Sequence, residues 1–250
     1  MKGLILAAGR GSRMGALTEA IPKCLVPLGG RPLLEWQIAA MSGANVEDIG
    51  IVRGYKGHLL DKFGLDVFDN PRWAETNMVA SLKCATSWLR EGPVIVSYAD
   101  IFYPTSAIQA LIDRSAEIAV AFDTNWSQLW SQRFEDPLSD AESFALKGDK
   151  ISDIGSKVER IEDIDGQYMG LLCFQPAGWR QIEVFLAKLP QDQIDSLDMT
   201  GLLSGLIKEG HTLVGVPVSD IWGEVDSQGD LSVYENWIKT GHLLFPSSRM

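Results

Sequence analysis

The run KGLILAA, residues 2–8, is apolar almost throughout and breaks at Gly9. A strand with one wet face shows a polar residue every second place. A uniformly apolar run suits a strand covered on both faces, as in a parallel sheet held between two helix layers. This one segment therefore demands helices on either side of it.

The following sequence supplies them. RPLLEWQIAAMSGA has apolar residues at helical spacing and stops near Gly43. DIGIVRG reads as a second strand. NMVASLKCATSWLREG places Met78, Leu82, Ala85 and Leu89 on one face, which predicts a helix starting near Asn77. GPVIVSYAD reads as another buried strand, ending at Asp100. TSAIQALIDRS then reads as a helix and EIAVAFD as a strand. The alternation predicts an α/β fold with a mostly parallel mixed sheet flanked by helices.

From Trp126 the periodicity lapses. NWSQLWSQRFEDPLSDAES reads as a small irregular insertion or lid, and FALKGDKISDIG as a hairpin around a Gly-Asp turn. QYMGLLCFQ and TLVGVPV read as strands, MTGLLSGLIKEG and LSVYENWIKTG as helices. With no repeat and no low-complexity linker, residues 1–250 are expected to form a single domain. A first half would run to about residue 123 and a second over about 124–250.

The net charge of −11 disfavours partnership with nucleic acid or an anionic membrane. Cys24, Cys84 and Cys173 form no CxxC pair, which fits a reducing compartment better than a disulfide framework. The apolar run Leu4 to Ala8 is too short for a signal core, and no apolar stretch of about 18 residues occurs, so a cytoplasmic location is expected.

The loop after the first strand carries the chemistry. No Lys-Ser/Thr follows Gly15, which excludes a P-loop. Gly9 and Gly11 begin a dinucleotide fingerprint, but its last glycine falls one place late at Gly15. The next strand ends in Arg53 and Gly54 rather than an acidic residue. What remains is A-A-G-x-G-x-R-M followed by P-K: Ala8, Gly9, Gly11, Arg13, Pro22 and Lys23. This set resembles the signature of the sugar-phosphate and phosphocholine nucleotidyltransferases, which share a GT-A-like fold. The resemblance implies that Leu6, Ala7, Ala8, Gly9, Gly11 and Ser12 cradle a nucleoside triphosphate. Arg13 and Lys23 would act as the catalytic cations that meet its developing charge.

Nucleotidyl transfer calls for Mg²⁺, and Mg²⁺ calls for carboxylate oxygens. Asp100 stands at a strand's carboxyl end. Glu224 and Asp226 alternate in IWGEVDSQGDL and so share a side; the late family pattern W-x-[DE]-[IV]-D matches here. Asp100 and Asp226 are therefore the expected metal ligands, with Glu224 as a third metal ligand or an acceptor contact, and Asp230 the expected cap of the last helix.

ETNMVASL is similar to the N-x-x-x-S-L of the phosphocholine cytidylyltransferase branch. In that branch Asn77 or Ser81 would read a cytosine edge, while Asn77 serves equally well as a helix cap. The segment from DTNW to GQYMGLLCF resembles bacterial cytidylyltransferases for small phosphorylated or phosphonate acceptors. Trp126 and Trp130, four apart, would share one helix face and either offer aromatic rings to a cationic amine or serve as plain apolar anchors of the lid. Arg133 would hold the acceptor phosphate, and Glu142, Lys157 and Tyr168 would line the acceptor side.

The expected reaction joins CTP to a small phosphorylated acceptor and releases pyrophosphate, with a homodimer as one possible assembly. A sugar-1-phosphate transferase using UTP, dTTP or GTP is the alternative. A non-catalytic nucleotide sensor is a further one, and it would be expected to lose the loop arginine, the lysine or a metal carboxylate; all are present. His58, His211 and His242 show no ligand spacing.

Overall fold

In the computed structural model, which describes residues 1–245, the first strand β1 (Lys2–Ala7) lies among parallel neighbours. Along the chain follow α1 (Leu33–Gly43), β2 (Asp48–Arg53), β3 (Asp66–Asp69), α2 (Met78–Lys83), α3 (Thr86–Glu91), β4 (Val94–Tyr98), α4 (Thr105–Asp113) and β5 (Ile118–Asp123). The second half adds α5 (Trp126–Arg133), β6 (Glu142–Lys147), β7 (Lys150–Lys157), β8 (Gln167–Phe174), α6 (Pro176–Leu186), α7 (Gln191–Ser196), α8 (Met199–Lys208), β9 (Val214–Val218) and α9 (Gln228–Lys239).

These strands form one nine-stranded sheet in the order β3-β2-β1-β4-β8-β5-β9-β7-β6. β3, β2, β1 and β4 run parallel, as do β5 and β9; β8 is antiparallel to both β4 and β5. Strand β8 of the second half thus lies between β4 and β5 of the first, so the two halves share one sheet. The Gly148 turn joins β6 and β7 as a hairpin at the edge.

The sheet separates two apolar layers. Leu4 and Leu6 of β1 face a cluster with Val79, Leu89, Trp179 and Leu202, from α2, α3, α6 and α8. Ile5 and Ala7 face the other cluster, with Trp36, Ile108, Trp130 and Tyr234 from α1, α4, α5 and α9. This double covering is what the uniformly apolar run required. The predicted helix from Asn77 is broken at Cys84 and Ala85, where Ala85 leaves helical geometry (φ −98°, ψ 22°). The predicted irregular insertion instead contains the helix α5, whose Trp126, Leu129 and Trp130 are buried.

Near the site β8 bulges between Tyr168 and Leu172. Gly170 sits in the bulge at φ +71°, and a Cβ there would meet the Tyr98 ring at 2.8 Å. Glycine lets Tyr98 lean across the bulge; its ring meets Tyr168 edge-on with centroids 5.7 Å apart.

Leu172, fully buried in the middle of β8, tests the packing. Leu172→Ala should lower stability by about 2–5 kcal/mol in urea unfolding. Val184→Ala, at a position 58% exposed, should change it by no more than about 0.5 kcal/mol.

Candidate active site

Two distant segments are zipped together at the carboxyl end of β4. Beyond β4 the chain turns through Ala99 and Asp100 into Ile101–Phe102, which pairs antiparallel with Gly223–Glu224. The Val225 N–H donates to the Asp100 carbonyl at 2.9 Å. This short ribbon brings Asp100, Glu224 and Asp226 together, one carboxylate oxygen from each lying within 4.8 Å of the others.

Three carboxylates at that spacing repel one another, and the glycine loop supplies the counter-charge. Lys23 Nζ lies 2.6 Å from Asp100 Oδ2 and also bonds Asp226 Oδ1. Arg13 reaches in from the exposed loop, its Nη1 2.8 Å from Asp226 Oδ2. Lys23 is set by a turn in which the Leu25 N–H donates to the Pro22 carbonyl. Gly11, at φ +69°, lies on the lysine stem, and a Cβ there would come within 2.7 Å of Lys23 Cβ. The glycine is required both by its backbone angle and by the lysine beneath it.

The titration of the cluster follows from this geometry. Burial pulls the Lys23 ammonium down, but Asp100 and Asp226 outweigh it and hold the group above its ordinary value. Burial pushes Asp226 up, yet the charge and hydrogen bond of Lys23, helped by Arg13, bring it below its ordinary value. Glu224 touches neither Lys23 nor Arg13. Burial and then repulsion from Asp100 and Asp226 push it up to about 8, and the Arg133 guanidinium 3.7 Å away pulls it down only in part.

Two cavities meet at this centre. A cleft of about 140 Å³ is lined by Leu6, Ala7, Gly9, Gly11, Lys23 and Asp100, among others. A second cavity of about 300 Å³ is lined by residues including Trp130, Glu142, Tyr168, Asp198, Glu224 and Asp226. Arg13, Met78 and Tyr98 border both.

The remaining expected site residues divide. Ala8 is buried behind the loop, and its carbonyl accepts from the Tyr55 N–H. Ser12 is exposed and lines neither cavity. Asn77 is the cap of α2: its Oδ1 accepts from the Met78 N–H at 2.8 Å and its Nδ2 donates to the Ser196 carbonyl. Each end of the amide thus makes one hydrogen bond to backbone. Ser81 is buried under the helix and accepts from Asn70 Nδ2. The neighbouring Met78 borders the cleft instead.

The acceptor expectations need more correction. Trp126 and Trp130 pack edge to face in the core, 4% and 3% exposed. Trp126 lines neither cavity, and Trp130 shows the larger one only an edge of the core. They form no open aromatic face for an amine. The Arg133 side chain is fully buried and ion-paired inside the protein, so it is closed to an acceptor phosphate. Lys157 is exposed at the end of β7 and lines neither cavity. Glu142 and Tyr168 do line the larger one.

That cavity also holds Asp198 and Thr200, which the sequence reading passes over. Asp198 caps α8, its Oδ1 accepting from the Gly201 N–H at 2.7 Å. The cap is legible in D-M-T-G, but its place in the cavity depends on how α8 docks against β7.

A hard divalent cation fits the carboxylate centre. The donor set is oxygen only, and Asp100 Oδ1 is buried with no hydrogen-bond partner, an acceptor left open for a ligand.

Residues 3–182 match the MobA-like NTP transferase domain. The chain belongs to this family. This chain is a nucleotidyltransferase. The chain is 32% identical over 249 residues to the CTP:phosphoglutamine cytidylyltransferase of Campylobacter jejuni, covering 93% of this chain and 98% of that protein. A shorter match, 36% over 99 residues, links it to the choline-phosphate cytidylyltransferase of Streptococcus pneumoniae, with 38% of this chain and 43% of that one covered. Among solved structures, the inositol-1-phosphate CTP transferase of T. maritima superposes with a TM-score of 0.75 at 18% identity, over 96% of both chains. That likeness shows the shared nucleotidyltransferase fold. No helix among the described residues is long and apolar enough to cross a membrane.

The raised Glu224 gives a pH signature. Its proton is held more tightly in the folded than in the unfolded chain, where a glutamate titrates at about 4.3. Its contribution to stability is therefore present in acid and lost as pH rises to about 8. In metal-free buffer Glu224→Gln should raise Tm, and the gain over the unsubstituted protein should grow between about pH 5 and about pH 8. A gain independent of pH would contradict the assignment.

Proposed function

We propose that this protein transfers a cytidylyl group from CTP to a phosphorylated small acceptor that bears nitrogen at its far end, releasing pyrophosphate. The observation that carries the reading is the position of the Lys23–Asp100–Asp226 centre, on the boundary between a glycine-lined cleft and an acidic cavity. The Campylobacter relative, similar along nearly its whole length, is a cytidylyltransferase for phosphoglutamine.

In this reading the triphosphate lies against the backbone of Gly9 and Gly11, where no Cβ intrudes. Lys23 gives up its carboxylate partners for a phosphate oxygen, and Arg13 leaves Asp226 for the outer phosphates. Asp100 and Asp226, with Glu224 beside them, would hold Mg²⁺, which supplies positive charge to the phosphates. The acceptor's phosphate oxygen, already anionic at neutral pH, forms a bond to the α-phosphorus. The bond from that phosphorus to pyrophosphate breaks, and no protein nucleophile is required. Catalysis rests on placement and electrostatics.

The larger cavity supports the nitrogen-bearing acceptor. Asp140, Glu142, Asp198, Glu224 and Asp226 line it, and Arg13 is the basic residue among them. Glu142 is pushed up by burial and then by the charges of Asp198 and Asp140. An ammonium or amide group placed there relieves that repulsion, and the acceptor phosphate then points toward Arg13.

The test is pyrophosphate release across CTP, UTP, dTTP and GTP, each with phosphoglutamine, choline phosphate, aminoethylphosphonate and a hexose 1-phosphate. CTP with a nitrogen-bearing acceptor should give the highest kcat/KM. Turnover of the hexose phosphate with UTP or dTTP alone would overturn the reading. Lys23→Ala should cost about 100- to 1,000-fold in kcat. Glu142→Gln should raise the acceptor KM by about tenfold and leave the CTP KM in place.

A further inference from the structure

We propose that Arg133 is a positioning residue for the metal carboxylates, holding the segment Glu224–Ser227 from behind. The proposal rests on the reading of Asp100, Glu224 and Asp226 as a metal centre.

Arg133 ends α5 with its side chain wholly buried. Its guanidinium lies 5.1 Å from the Trp130 ring centroid and 4.9 Å from that of Phe134. Its Nε donates to Asp230 Oδ1 at 2.8 Å. The other oxygen of Asp230 accepts from the Asp226 N–H at 3.0 Å, from the Ser227 N–H at 2.8 Å and from Ser227 Oγ at 2.9 Å. One carboxylate thus connects the arginine to the backbone of Asp226. On the other side, Arg133 Nη1 lies 3.7 Å from Glu224 Oε2. Arg133 therefore holds this segment twice: at Asp226 through Asp230, and at Glu224 by charge.

Stability alone is a poor reason for this arrangement. Nη1 and Nη2 are both buried without a hydrogen-bond partner. A buried guanidinium with two unpaired nitrogens is costly, and replacing buried ion pairs by apolar side chains of similar volume is often neutral or stabilising. A positional role accounts for its presence. It places a fixed positive charge behind Glu224 and fixes the Asp226 backbone at the start of α9, where Ser227 and Asp230 form a reciprocal cap. Residues that orient ligand groups without touching the metal change affinity for it by about 10- to 100-fold when replaced.

Mn²⁺ binding followed by electron paramagnetic resonance, with CTP present, tests the role. Arg133→Met keeps the apolar stem and should weaken Mn²⁺ by about tenfold or more; Arg133→Lys should recover part of the loss. Asp230→Asn, which keeps an acceptor for the Asp226 N–H and loses the charge facing Arg133, should fall between Arg133→Met and the unsubstituted protein. CTP affinity in EDTA and the acceptor KM should stay within about twofold. The proposal is overturned if Arg133→Met binds Mn²⁺ like the unsubstituted protein, or if its defect appears only in the acceptor KM. Should circular dichroism show Arg133→Met unfolded, Arg133→Lys and Asp230→Asn decide, and unchanged Mn²⁺ affinity in both overturns it. If the unsubstituted protein itself binds no Mn²⁺ with CTP, the metal reading fails, and the role of Arg133 with it.

Discussion

The ammonium of Lys23 holds the site together. Asp100 follows β4, and Asp226 comes from a segment more than a hundred residues later in the chain. The ribbon of Ile101–Phe102 with Gly223–Glu224 sets them face to face. Two carboxylates so placed would push the ribbon apart without a cation between them, and Lys23 is that cation. Gly11 follows from it, because the loop lies on the lysine stem. The depressed Asp226 and the raised Glu224 follow as well. Asp226 is neutralised by contact with Lys23 and Arg13, whereas burial and repulsion at Glu224 outweigh the charge of Arg133 beside it.

The same contact joins rest to function. A centre proposed to receive a polyphosphate and a divalent ion is, in their absence, a cluster of like charges. The protein balances it internally with the cations proposed to grip the nucleotide. On that proposal Arg13 and Lys23 would be satisfied in both states, by carboxylates in one and by phosphates in the other. Arg133 differs: its side chain is wholly buried against the carboxylates, and on our proposal it stays with them throughout as a fixed support.

Local chemistry was legible in the sequence, and long-range placement was not. β1, the glycine loop and the Pro-Lys pair are contiguous and signal directly. Glu224 and Asp226 share a side because strand geometry alternates, which needs no tertiary knowledge. The cap at Asn77 was readable as one of two meanings, and the structure keeps the cap. The acceptor residues were harder, since their roles depend on which face of α5 turns inward. Trp126 and Trp130 share a face, as their spacing demands, but that face is the core. Arg133 at the end of the same helix is drawn in toward Asp230. Asp198 reaches the cavity only because α8 packs on the edge hairpin, a placement that no local pattern encodes.

The most direct measurement is calorimetric binding of CTP in EDTA to the unsubstituted protein and to Asp226→Asn. If Lys23 and Arg13 are held by Asp226 until a triphosphate takes them, removing that charge frees Arg13 and leaves Lys23 held by Asp100 alone. Metal-free CTP should then bind about tenfold more tightly, while turnover with Mg²⁺ is lost. Metal-free affinity that is unchanged or weaker in Asp226→Asn, or turnover that survives the substitution, would contradict a centre in which one pair of cations serves carboxylates and phosphates in turn.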